Sequence, residues 1–64
     1  EYIKLDQLLK FAGIADTGAM AKNMILDGLV TVNGIPTAMR GKKVRPGDRV
    51  VVAIGEADME IVVT

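Results

Sequence analysis

Five of the eight basic side chains fall within ten positions: Arg40, Lys42, Lys43, Arg45 and Arg49. Asp48 is the one acid among them, so five cations less one anion leave +4 on residues 40–49. The chemistry open to such a block is the neutralisation of phosphates. Arg40, Lys42 and Lys43 flank Gly41, which lets a backbone approach a ligand closely. Lys22 joins the same field if its helix face abuts the loop. Thr17 and Gly18 stand at the start of a helix, where free amides attract anions. The other classes of site are poorly provided for. The chain has no His, Cys, Ser or Trp, so a Ser-His or Cys-His nucleophile and a His/Cys zinc site are excluded. Glu56, Asp58 and Glu60 alternate at strand or turn spacing and read as solvated rather than as an acid/base pair. The reading is non-enzymatic, with no cofactor and no metal.

The elements that position these residues follow from period and punctuation. Glu1 to Lys4 reads as a short edge strand. Leu5, Leu8, Leu9 and Ala12 recur at i, i+3, i+4 and i+7 and predict a helix that Gly13 stops. Asp6, Gln7 and Lys10 point away, with Asp6 four residues before Lys10. A second helix starts at Asp16 or Thr17, uses Met20, Ala21, Met24 and Ile25 as its apolar face, and ends at Gly28. Leu29 to Val32 is a strand, and Asn33-Gly34 is a hairpin turn. Ile35 begins the return, which Pro36 confines to an edge. Residues 38–43 read as a loop. Arg45-Pro46-Gly47-Asp48 is a turn, Arg49 to Ile54 a strand, Gly55 to Asp58 a turn, and Met59 to Val63 a closing strand. The fold class is α+β. Two short helices, helix-turn-helix-like, pack on a small antiparallel sheet of three to five strands.

Length and composition bound the rest. Sixty-four residues make one domain, 1–64, with half its residues hydrophobic and a net charge of zero. With neither disulfide nor metal, the aliphatic core must hold the fold alone. The zero is a balance: the other 54 residues carry Lys4, Lys10 and Lys22 against seven acids, or −4. No apolar run approaches the ~20 residues of a spanning helix. The expectation is a cytoplasmic monomer with no membrane partner.

Four runs of residues carry a resemblance. They are Lys4-Leu5-Asp6-x-Leu8-Leu9 and Asp16-Thr17-Gly18-Ala19-Met20-Ala21-Lys22, then Ile25-x-x-Gly28-x-Val30-x-Val32-Asn33-Gly34 and Val44-x-Pro46-Gly47-Asp48-x-Val50. Over residues 2 to 54 the chain resembles the S4-type (alpha-L) RNA-binding domain. Gly18-Ala19-x-Ala21-Lys22 and Arg40-Gly41-Lys42-Lys43 look like its short stand-alone bacterial subgroup, the YbcJ/YaaA-like proteins. The resemblance implies a helix pair on a small sheet, with structured RNA, often ribosomal, as ligand. It implies a surface combining the exposed side of the helices with a basic loop. By position it carries over Lys4, Lys22, Arg40, Lys42 and Lys43. Lys10, Thr17, Gly18 and Arg45 complete the candidate RNA-binding set. Many members have Ser-Arg-Ser where this chain has Thr17-Gly18-Ala19, so one usual cation is missing. The acidic tail is not part of the motif. With only Tyr2 and Phe11 aromatic, the chain lacks a stacking platform for splayed single-stranded bases, which favours structured RNA read by shape and phosphate contacts. The alternative is a protein-interaction or targeting module from a larger RNA-modifying enzyme. A β-grasp sulfur carrier, suggested by Val-Asn-Gly and a later Gly-Asp, is disfavoured because here the helices precede the sheet.

Overall fold

The computed structural model describes residues 1–63. Its elements run β1 (Ile3–Lys4), α1 (Leu5–Phe11), α2 (Gly18–Leu26), β2 (Val30–Val32), β3 (Ile35–Pro36), β4 (Lys43–Val44), β5 (Arg49–Ile54) and β6 (Ala57–Val62). This is the α+β order expected from the sequence.

Both helices end in the same way. Gly13 donates its amide to the Lys10 carbonyl and Ile14 to that of Leu9; Gly28 donates to Ile25 and Leu29 to Met24. The glycines take φ of +78° and +79°, a left-handed conformation that other residues resist. The last carbonyls of each helix are thereby satisfied and the chain turns sharply. At the start of α2 the choice falls on Thr17, whose Oγ1 accepts the Met20 amide at 3.1 Å. The apolar stripes are shorter than their spacing suggested. Leu5, Leu8 and Leu9 are buried on α1 and Ala21 and Ile25 on α2, but Ala12 and Met20 are exposed. Ala12 caps α1 and Met20 sits in the first turn of α2, where each stripe has run past the surface it packs on.

The larger sheet is antiparallel in the order β3-β2-β5-β6. Val30 pairs with Val52 and Val32 with Val50, and all four point inward. They meet Leu5, Leu9 and Ile25 of the helices and Val44 of β4 in one core. Pro36 lies on the edge strand, where its missing amide is harmless. The opposite edge, β6, begins at Ala57 rather than Met59. Gly55, at φ +61°, closes the β5–β6 hairpin within two residues.

A second sheet departs from the expected single one. β1 pairs with β4 as a separate two-stranded ribbon, with Ile3 opposite Val44 and Lys4 opposite Lys43. Lys43 therefore belongs to a strand, although residues 38–43 read as a loop. Val44 points into the core and fixes the ribbon's register, because a slip of one residue would expose it.

Candidate nucleic-acid interface

Four of the predicted cations meet where this ribbon joins α1. Among the described residues no side chain caps α1. Instead the Leu5 amide donates to the Lys42 carbonyl at 2.9 Å and the Asp6 amide to the Arg40 carbonyl at 3.1 Å. The backbone of the basic loop is thus fixed against the first turn of α1, and the side chains of Arg40 and Lys42 remain exposed. Lys4 and Lys43 face each other directly across the ribbon. Like charges so placed repel. Among the described residues no carboxylate lies within 4.0 Å of any of these four. The Lys43 ammonium sits 4.9 Å from the centroid of the Tyr2 ring. An exposed cation–π contact of this kind contributes about 0.5–1 kcal/mol. That is weak enough for the ammonium to leave the ring for a phosphate.

The turn after β4 is built by a second set of contacts. Asp48 Oδ2 accepts the Arg45 amide at 2.9 Å, and Oδ1 accepts from Asn33 Nδ2 at 3.1 Å. Asn33 Oδ1 accepts the Arg49 amide at 2.9 Å, while the Asn33 amide donates to the Arg49 carbonyl at 2.7 Å. Asn33 and Asp48 therefore staple the β2–β3 hairpin to the Arg45–Asp48 turn. Asn33 also adopts φ +53°, which few non-glycine residues tolerate as well. Val-Asn-Gly and Pro-Gly-Asp, from two of the four sequence runs, are thus one structural joint. It holds Arg45 at a fixed point beyond the ribbon. We expect Asn33→Ala to cost about 2 kcal/mol in a thermal or urea melt, from lost hydrogen bonds and a strained left-handed alanine.

The same joint sets a pH dependence. The Arg45 amide, then the Asn33 side chain, hold the Asp48 carboxyl below its ordinary 3.8, with smaller help from the charges of Lys42 and Arg45; partial loss of solvent opposes them. A folded value below the unfolded one stabilises the fold at pH above the ordinary value. That contribution is lost as pH falls through the lowered value. Asp48→Asn should therefore lower the thermal midpoint at pH 7, and the gap to the unmodified protein should close as the solution is taken below pH 3.8. A gap that stays constant with pH would remove Asp48 from this role.

The remaining candidates lie elsewhere. Arg49 is engaged with Glu60 at 3.1 Å across β5 and β6. Both side chains are more than half exposed, so the pair is worth about 0.2–1 kcal/mol. Lys10 occupies the last turn of α1. Lys22 is exposed on α2, between buried Ala21 and exposed Asn23. Among the described residues no hydrogen bond or ion pair ties Lys22, Lys10, Thr17 or Gly18 to the basic loop. The Thr17 oxygen is already used as the cap of α2. Gly18 opens α2 with open space where a Cβ would stand, apart from the local backbone, and no acid occupies that first turn. Tyr2, which the sequence reading left out of the site, lies under Lys43.

A helix pair with a four-stranded antiparallel sheet and a separate basic two-stranded ribbon is the α+β arrangement that the resemblance implied. The S4 domain family model matches residues 1–62, and the chain belongs to the S4 domain family. Among solved structures it is similar to heat shock protein 15 of Vibrio cholerae, solved as a trimer. The TM-score is 0.84 at 31% sequence identity, over 97% of this chain. The match takes in 62% of the Vibrio protein, so this chain spans less than two thirds of that relative's length. No curated protein matches the chain.

Proposed function

We propose that this chain is a non-catalytic domain that binds structured RNA, with ribosomal RNA as the preferred class. Lys4, Arg40, Lys42 and Lys43 meet successive phosphates, and Arg45 extends the contact. Lys10, Lys22, Thr17 and Gly18 contribute from the exposed side of the helix pair. One observation carries the reading: Lys4 and Lys43 oppose each other beside Arg40 and Lys42, without a carboxylate within 4.0 Å among the described residues. Such a cluster is repulsive when empty and relieved by a polyanion. Membership of the S4 domain family supports RNA as that polyanion. The setting proposed is the bacterial cytoplasm, where ribosomal RNA is found. Separately, among the described residues no helix is long and apolar enough to cross a membrane. The monomer expected from the sequence is at odds with the trimeric Vibrio relative, and sedimentation equilibrium decides between them.

Salt dependence tests the proposal. The four cations of the ribbon and loop contribute about −3.6 to the log–log slope, from roughly −0.9 per phosphate on a duplex, and Arg45, Lys10 and Lys22 add to it where they reach phosphates. Lys4→Ala should reduce the magnitude of that slope by about one. A slope that Lys4→Ala leaves unaltered would take Lys4 out of the interface. RNA affinity indifferent to salt would overturn the electrostatic mechanism itself.

A further inference from the structure

The two aromatic side chains of the chain, Tyr2 and Phe11, line the same groove. It lies where the ribbon, α1 and the end of β6 converge. Ile3, Leu8, Val44 and Ile61 are among the residues that line it. Its volume is about 580 Å³, within the span of roughly 300–1,000 Å³ usual for small-ligand sites. Phe11 is 86% exposed and Tyr2 47%, so neither ring is committed to the core. The Lys43 ammonium stands 4.9 Å from the Tyr2 ring, which joins the groove to the cationic ribbon. Glu1 is the one acid among the lining residues, against Lys4 and Lys43 on the adjoining ribbon.

We propose that this groove receives one unpaired base of the bound RNA, stacked on Tyr2 or Phe11, with Lys43 on the phosphate of the same nucleotide. The proposal rests on the RNA-binding reading above and deepens it. A nucleotide joins a flat π surface to an anion, and the groove offers aromatic faces with a cation beside them. Two rings accommodate a single extruded base but not a run of them. The ligand is therefore a helix carrying a bulge or a looped-out residue, rather than an extended single strand. An apolar protein segment would fill the groove as well, but it would leave Lys43 without a partner.

Two RNA hairpins of identical stem, one fully paired and one with a single bulged adenine, provide the test. The unmodified protein should bind the bulged hairpin about tenfold more tightly, a factor within the range of one base–aromatic stack. Tyr2→Leu with Phe11→Leu keeps apolar bulk but removes both π faces, and it should erase the preference, so that the bulged and the paired hairpin bind equally. Tyr2→Phe should retain the preference and shows that loss in the leucine variant is not a general defect. Equal binding of the two hairpins by the unmodified protein overturns the proposal. So does a preference that survives the double leucine variant. A change in sedimentation behaviour of the leucine variant, with its RNA preference intact, would assign the groove to contact between copies instead. Failure to bind either hairpin overturns the RNA-binding reading itself, and is distinct from equal binding of both.

Discussion

Lys42→Glu combined with Lys43→Glu should abolish the proposed RNA binding and leave the domain folded. The two substitutions change the charge of residues 40–49 from +4 to zero. Both side chains are exposed. What α1 takes from position 42 is a backbone carbonyl, which accepts the Leu5 amide and survives any side-chain change. At position 43 the substitution even removes a conflict. Lys4 would then face a carboxylate, and an opposite-charge cross-strand pair contributes roughly 0.2–1 kcal/mol where the like pair had been unfavourable. The cation–π contact with Tyr2 is lost, at a cost of similar size. The thermal midpoint should therefore stay within a few degrees while filter binding drops to background. Retained affinity would move the binding surface away from the ribbon and loop.

Leu9→Ala should have the largest effect on folding. Leu9 is fully buried, and its carbonyl accepts the Ile14 and Ala15 amides in the connection to α2. Truncating a buried leucine costs about 2–5 kcal/mol. A core of this size supplies only about 3–5 kcal/mol in total. The variant should be largely unfolded at 25 °C by circular dichroism. Ile35→Ala is the matching control. Its side chain is 69% exposed on β3, and its melt should shift little. A cooperative Leu9→Ala melt close to that of the unmodified protein would mean that the core stands without this contact.

What could be read from the sequence was local. Leu5, Leu8 and Leu9 announce α1 by spacing, and Val30, Val32, Val50 and Val52 announce their strands by alternation. Asn33-Gly34 marks its hairpin because few dipeptides accept two positive φ angles. Ala12 and Met20 misled for a physical reason: periodicity records helical phase but not where the packing surface ends. The pairing of β1 with β4 had no such signal. It joins two-residue segments about forty positions apart, and strands that short have no period. The candidate site suffered in the same way. Its cations were visible as composition, but Lys4 beside Lys43 depends on that distant pairing. The Asn33–Asp48 bond likewise crosses fifteen residues, so its role as a joint emerged only with the fold. Tyr2 and Phe11 were visible as the only aromatics, yet their convergence depends on how α1 sits against the ribbon.

The shortness of that ribbon also has a kinetic meaning. Two residue pairs close a loop of some forty residues, and the entropy of closure must be met before the pairs form. The helices and the β5–β6 hairpin involve much nearer neighbours and can form first. Pairing of β1 with β4 is then expected to follow the local elements in folding. If RNA binds as proposed, a strand spanning Lys4 and Lys43 would act as a clasp on the N-terminal segment, holding closed a pairing that sequence neighbours do not secure.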